Sequence, residues 1–308
     1  MTVTPVISSA DEAAAILRSS GIVGLPTETV YGLAAVATDH EAVSRVFSAK
    51  GRPHDHPLIV HVSSLEMASR FGLLNDAARL LAAAFWPGPL TLLLERTPLA
   101  GDDITGGRDT VAVRMPRHPA ALRVIELCGE GVVAPSANRF GHVSPTTAAH
   151  VTDDLDGLID AVLDGGKCDV GVESTIVDCT GALQVLRPGA ITVADIESCA
   201  GRPVAVTSGP SRAPGMLASH YAPAAKVHLV SSEGDAARLA ADLSRAGREN
   251  VVIGVGLGIT EYAATLYEMM RGADASGVSD IIAVDPSGPG LEAAVSDRLR
   301  KAAADTAR

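Results

Sequence analysis

The chain has 308 residues, 47% of them hydrophobic, a mean hydropathy of +0.24 and a formal net charge of −11. Its length allows one large or two ordinary domains with sizeable cores. The acidic balance and 3% aromatic content argue against a protein that grips a nucleic-acid backbone or stacks bases.

No apolar run reaches the ~18 residues needed to cross a bilayer, and the first residues lack the basic-then-apolar layout of a secretion signal. A cytoplasmic protein with no membrane association is expected. The four cysteines, Cys128, Cys168, Cys179 and Cys199, form neither a CxxC pair nor a metal spacing, so they read as reduced structural thiols.

Taken in chain order, residues 10–19 have the apolar spacing of a helix and 22–26 read as a buried strand. A helix over 40–49 leads to Lys50, and a strand follows over 57–62. A helix over 75–85 has Asn75 as its N-cap and is stopped by Trp86-Pro87-Gly88-Pro89. Strands over 90–95 and 110–115, a helix over 118–128 and the run Val132 to Pro135 come next. Residues 146–154 and 155–160 read as helical or turn-like, and 172–178 with 183–187 as a β-hairpin. This mixture predicts an α/β domain around a mixed sheet rather than a repeated βαβ winding.

From 207 to 224 the composition shifts to Ser, Gly, Pro and Ala, with prolines at 210, 214 and 223, which is linker chemistry. Strands over 227–230, 251–255 and 281–284 then alternate with helices over 233–246, 261–273 and 291–304. Three βα units predict a small parallel, Rossmann-like sheet. The expected division is a first domain over 1–206, a linker over 207–224 and a smaller α/β domain over 225–308.

The chemistry concentrates in the first domain. Pro26-Thr27-Glu28-Thr29-Val30-Tyr31 puts two hydroxyls, a carboxylate and a phenol at the end of a strand, where a rigid element can aim them at a small polar ligand. Lys50 and Arg52 flank Gly51 in a loop that also holds Pro53, His54 and His56, so backbone and two cations can approach an anion together. Alternation places Thr110 and Arg114 on one strand face and Val111 and Val113 on the other, and Arg114 suits a bidentate grip on a carboxylate. Ser136 and Asn138 offer a hydroxyl and an amide at another strand end, and Ser144 precedes a helix whose first amides could bind phosphate. His61, on an apolar strand, reads equally as a core histidine or a pocket residue. No GxxxxGK[ST] is present, and Gly254, Gly256 and Gly258 do not make a GxGxxG.

Several ordered blocks, PTETVYGL, AKGRPHDHPLIVHV, FWPGPLTLLL, DTVAVRMPRHP, APSAN, VSPT, GVESTIVD and LRPGAIT, together resemble the threonylcarbamoyl-AMP synthase family of Sua5, YrdC and YwlC proteins. APGMLASHYAP, over 213–223, resembles the linker of the longer, Sua5-type members. The resemblance implies a YrdC-like mixed twisted sheet and an adenylyl transfer from ATP onto carboxylated L-threonine, with bicarbonate or CO₂ as carbon source. It implies Thr27, His61, Arg114 and Ser174 at the threonine, and Lys50, Arg52, Thr110, Ser136, Asn138, Ser144, Arg187 and Tyr221 at ATP. Lys50 and Arg52 would act on the phosphates, Tyr221 would sit in a linker that closes over the cleft, and no general base is singled out. Mg²⁺ would arrive on ATP phosphates, with no tight protein metal site. The product would pass to the tRNA threonylcarbamoyl-transferase complex for modification of adenosine 37, direct tRNA binding being left open. Two alternatives remain at this level: carbamoyl-adenylate chemistry of the hydrogenase-maturation type, and a non-catalytic double-stranded RNA or ribosome-binding module.

Overall fold

A computed structural model describes residues 3–206 and 221–304. Two sheets organise them. In the larger one the strands lie side by side in the order Val6–Ile7, Ala161–Leu163, Val23–Leu25, Gly32–Val36, Val132–Val133, Ile59–His61, Thr110–Arg114, Leu90–Glu95, Thr175–Asp178, Gln184–Arg187 and Ala205–Val206. Parallel and antiparallel neighbours mix, as expected from the irregular alternation of elements: Ile59–His61 runs parallel to Thr110–Arg114, which runs antiparallel to Leu90–Glu95.

Strand parity decides what each face of this sheet does. Val60, Val111, Val113, Leu92, Leu94, Val177 and Val185 point to one side, where they meet Val43, Phe47, Phe71, Ala78, Leu81 and Ile196 from helices His40–Lys50, Leu65–Phe71, Asp76–Phe85 and Val193–Ala200. The intervening residues point to the other side. There Ala34 and Val132 pack beneath helices Ala10–Arg18 and Pro119–Cys128. Farther along that face the register aligns His61 with Arg114 and Arg114 with Thr91, which sets polar groups beside one another.

Two elements differ from the sequence reading in ways that matter. The expected strand at 22–26 is half of an antiparallel pair: Leu25 lies opposite Gly32, so the threonine-rich motif is the loop that reverses the chain between two strands. The strand Gly32–Val36 has no alternation because both of its faces are buried, the usual reason such runs escape a pattern search. The helices Leu65–Phe71 and Val193–Ala200 were also not anticipated; each is capped by a hydroxyl, from Ser64 and Thr192 respectively. Asn75 caps its helix as expected, accepting from the Ala78 amide at 2.9 Å.

The second sheet is three-stranded and fully parallel, in the order Lys226–Val230, Asp280–Val284, Asn250–Ile253. Helix Glu233–Arg245 covers one face through Ala236 and Leu243 against Ile282. Helices Ile259–Ser276 and Leu291–Ala303 cover the other and dock it onto the first domain. Tyr262, Leu266, Tyr267, Met270, Val295 and Leu299 form one apolar cluster with Val30, Val143 and Val172 of the first domain. Gly171 permits this approach: its φ is +77°, and a Cβ there would stand 2.5 Å from the Ala263 carbonyl. Arg271 clasps the join, donating Nη2 to the Val143 carbonyl at 2.5 Å and to Asp154 at 2.7 Å. A deeper pair, Arg298 and Glu173, meets at 2.8 Å with Arg298 fully buried. No described helix is long and apolar enough to cross a membrane.

Leu92 is fully buried in the main core, whereas Leu80 is about half exposed. Leu92→Ala should destabilise the protein by about 3 kcal/mol through lost burial and a residual cavity, and Leu80→Ala by less than about 0.5 kcal/mol. Denaturant titration of both variants checks this. Acid should loosen the domain join. Burial alone would raise the Glu173 carboxyl, but Arg298 and Arg187, with hydrogen bonds from Arg298 and Ser144, bring it down to about 2 from an ordinary 4.5. A depressed carboxyl stabilises the folded state fully above the unfolded value and loses that contribution as pH falls toward the folded one. Between pH 4.5 and 2, therefore, wild type should lose unfolding free energy more steeply than Glu173→Gln; parallel curves would contradict the assignment.

Candidate active site

The polar side of the larger sheet opens into a cavity. Its walls come from the 26–31 loop, the segment from Arg52 to His61, Arg114, the run Ala134 to Ser136, Glu173 and Ser174, Arg187, and Tyr221. Eight residues singled out in the sequence therefore converge here: Thr27, Arg52, His61, Arg114, Ser136, Ser174, Arg187 and Tyr221.

The loop is organised by Thr27. Its Oγ1 donates to the Val30 carbonyl at 2.6 Å and accepts from the Thr29 and Val30 amides at 3.2 and 3.3 Å. Thr27 thereby shapes the turn while lining the cavity. Tyr31 turns away into the core, donating to the Gly166 carbonyl at 2.8 Å. Thr29, the second hydroxyl of the motif, lines the cavity and accepts from Arg114 Nη1 at 2.8 Å.

Arg114 is more heavily engaged than a dedicated carboxylate fork would be. Nε donates to the Gly88 carbonyl at 3.3 Å, and Nη2 lies 2.7 Å from Glu28 Oε1, off the ideal hydrogen-bond line but well within an ion pair. Burial pushes the Glu28 carboxyl up, yet the Arg114 charge and hydrogen bond, with the Arg117 amide, hold it below the ordinary carboxylate range. The pair is thus charged and locally neutral. His61 is buried beside it, its Nδ1 3.3 Å from the Ile59 carbonyl. Burial and then the Arg114 charge bring its pKa down to about 3, so it presents an uncharged imidazole at neutral pH.

At the other end Arg52 donates Nη2 to the Pro57 carbonyl at 3.0 Å and stands 5.7 Å from the Phe140 ring centroid. Among the described residues its buried Nε has no hydrogen-bond partner, a donor that an acceptor on a bound anion would complete. Burial lowers its pKa to about 10, which leaves it charged at neutral pH. Arg187 donates Nε to the Ser174 carbonyl at 3.0 Å and Nη2 to Ser174 Oγ at 2.9 Å, and Ser174 Oγ is also 2.7 Å from Thr91 Oγ1. Tyr221, at φ +63°, is buried and stacked on Tyr267 with centroids 5.7 Å apart. The linker expected over 207–224 otherwise falls outside the described residues from 207 to 220.

Four of the residues expected at ATP, Lys50, Thr110, Asn138 and Ser144, are not among the described residues that line this cavity. Lys50 does not line the cavity: it is buried behind it, and its ammonium donates to the Ser136 carbonyl and, at 2.5 Å, to the Asn138 carbonyl. Burial, followed by the Arg52 charge, pushes its pKa well down. These bonds tie Lys50 to the strand end that carries Ser136. Asn138 donates Nδ2 to the Arg139 and His142 carbonyls at 2.7 and 2.9 Å. Ser144 donates to Glu173 at 2.7 Å, and the helix that follows, Ala148–Leu155, is capped by Thr147. Thr110 shares the strand face with Arg114 but lies about 13 Å along it, in a separate open depression with Glu95 and Asp102.

Glu173 was not singled out in the sequence, and Glu28 only as one polar group of the loop motif. Each is an acid inside an apolar block, at PTETV and GVESTI, and buried acids in such settings carry partners. No group of three or more His, Cys, Asp or Glu among the described residues could hold a metal ion.

Comparison with known proteins places this geometry. The Sua5/YciO/YrdC family model, described as telomere recombination, matches residues 15–189, and the model of the threonylcarbamoyl-AMP synthase C-terminal domain matches 191–304. Threonylcarbamoyl-AMP synthase of Pyrococcus abyssi is 44% identical over 94% of this chain and 92% of its own, and that of Bacillus subtilis 41% over 95% and 92%. The crystal structure of P. abyssi Sua5 complexed with L-threonine superposes with a TM-score of 0.93 at 39% identity, covering 98% of both chains. With both family models matched in order and the fold shared end to end, the chain belongs to the Sua5 family of threonylcarbamoyl-AMP synthases, in its two-domain form.

Proposed function

We propose that this protein converts L-threonine, bicarbonate and ATP to threonylcarbamoyl-AMP, diphosphate and water, supplying the activated group for tRNA modification in the cytoplasm. The observation that carries the reading is the convergence of three buried or half-buried guanidinium groups, Arg52, Arg114 and Arg187, in one cavity. Cations gathered at one pocket in an otherwise acidic chain suit a small anion rather than a long polyanion.

The charges divide the cavity. The Arg114–Glu28 pair is net neutral and sits with Thr27, Thr29 and His61, which suits an amino acid carrying both a carboxylate and an amine. Arg52 and Arg187, with Ser136 and Ser174 nearby, make the opposite end positive, which suits a triphosphate. Mg²⁺ enters as part of the MgATP substrate. Both carboxylates near the cavity are already paired with arginine, so the chain offers the ion no ready ligand set.

In the reaction the threonine amine is carboxylated, and a carbamate oxygen attacks the α-phosphorus as diphosphate leaves. Two anions must be brought together, so placement and cation stabilisation of the developing charge are the protein's main contributions. No cavity residue is tuned near neutrality as a base: His61 is held far below it, and Glu28 and Glu173 are ion-paired. Lys50 serves indirectly, by locking the segment that presents Ser136.

Wild type should release diphosphate from ATP and bicarbonate only when L-threonine is present; threonine-independent release, or none from folded protein, would sink the proposal. Arg52→Ala should reduce kcat/KM for ATP about 10²-fold with little change in melting temperature. Lys50→Ala should reduce activity and also lower the melting temperature, because two carbonyls lose their donor. Arg114→Ala should raise KM for threonine about tenfold or more, with a smaller effect on KM for ATP. Steady-state kinetics with each substrate varied in turn separates these outcomes.

A further inference from the structure

Glu173 poses an electrostatic problem. Its carboxylate stands in the wall of a cavity that also carries Arg52, Arg114 and Arg187. Left unpaired it would repel an incoming anion and attract Arg187. The cation that answers it comes from the other domain. Arg298, on helix Leu291–Ala303, donates Nε to Glu173 Oε2 at 2.8 Å, and Tyr267 donates its hydroxyl to the same oxygen at 2.9 Å. Ser144 donates to the second oxygen at 2.7 Å, which completes the carboxylate.

The same guanidinium holds backbone. Nη1 donates to the Pro188 carbonyl at 3.0 Å and Nη2 to the Glu173 carbonyl at 3.4 Å. Those carbonyls belong to the neighbours in sequence of Arg187 and Ser174, two cavity residues that are bonded to each other at 2.9 Å. The guanidinium also lies 5.6 Å from the centroid of the Tyr221 ring, a third wall of the same corner. One side chain of the second domain therefore touches the segments carrying Ser174 and Arg187 together with Tyr221, while the two segments carrying Arg52 and Ser136 lie outside its reach.

Docking the two domains does not by itself call for this arrangement. The join already has an apolar cluster that includes Leu266, Met270 and Leu299 against Val143 and Val172. A buried ion pair adds little net stability over well-packed apolar side chains of similar volume. Arg271 shows what a simple clasp looks like: it ties the same two domains at Val143 and Asp154, and it does not line the cavity.

We propose that Arg298 is a positioning residue for the nucleotide end of the cavity, neutralising Glu173 so that Arg187 keeps its charge for phosphate and fixing the segments that carry Ser174 and Arg187. This rests on the ATP-using reading given above. It makes the second domain a working part of the site rather than an appendage.

The test uses the full chain, with binding of a non-hydrolysable ATP analogue measured by calorimetry and threonine-dependent diphosphate release measured alongside. Arg298→Met should weaken analogue binding about tenfold or more and raise KM for ATP more than it lowers kcat. Adding Glu173→Gln to Arg298→Met removes the stranded charge, so the double variant should regain much of the lost affinity. A double variant that binds more weakly than the single one would reduce Arg298 to a structural bolt and overturn the proposal, as would unchanged binding in Arg298→Met. Arg271→Met serves as the comparison, expected to lower the melting temperature while changing analogue affinity by no more than about twofold. Should Arg298→Met not fold, Arg298→Lys decides: it keeps the charge but cannot reach both carbonyls, so affinity should drop about threefold, and equal affinity overturns the proposal. Wild type that binds the analogue yet releases no threonine-dependent diphosphate would overturn the functional reading alone, with Arg298 still judged on binding.

Discussion

A carboxylate buried beside a site for anions must be matched by a cation before any ligand arrives, and this protein meets that constraint twice. Glu28 is matched by Arg114 within the first domain, and Glu173 by Arg298 across the domain join. The two pairs have opposite consequences. The first uses a cavity arginine and leaves its surroundings neutral, suited to an amino acid. The second uses an arginine from outside the cavity and so answers the carboxylate without drawing on the cations that line it. The charge map of the cavity follows from which arginine each carboxylate was given.

That map is carried by the parity of a few strands. Val60 and Val113 enter the helix-covered core, while His61 and Arg114, one step along, enter the cavity. A one-residue slip in either strand would exchange core for site, so the apolar packing that stabilises the sheet also fixes the direction of its functional side chains. The helix-covered face settles the register, and the cavity face inherits it.

Much of this was legible in the sequence, and what was not legible shares a physical cause. Residue type and local spacing located the threonine loop, the Arg52 segment, the Arg114 strand, the hairpin bearing Arg187 and the parallel second sheet. They could not say which atoms of a polar residue are already committed. Lys50 and Arg52 are one residue apart at the end of a helix and its exit, yet the helical turn drives one inward onto backbone carbonyls and leaves the other facing the cavity. Thr110 and Arg114 share a face, but strand rise separates them by about 13 Å. Arg298 was invisible for a different reason. In Ser296-Asp297-Arg298-Leu299-Arg300-Lys301 it looks like one of several solvent-facing cations, and only the packing of the whole helix shows that it is fully buried while Arg300 is exposed. Alternation and helical period report on a segment's own amphipathicity. They carry no information about a partner surface far away in sequence.

The first domain alone would leave its cavity face half covered. Helices Ala10–Arg18 and Pro119–Cys128 protect the part around Ala34 and Val132, whereas among the described residues Val172 and Val143 cluster with Tyr262, Tyr267 and Val295 of the second domain. A mixed anhydride formed there would need protection from water, and an open wall would also expose Glu173 to solvent and screen the charges that position the phosphates. Covering the wall with apolar residues would exclude water but strand the carboxylate; covering it with an arginine alone would leave that charge partly hydrated. The second domain supplies an apolar surface with one guanidinium set in it, opposite the carboxylate. What the first domain takes from it is the geometry of its last two helices.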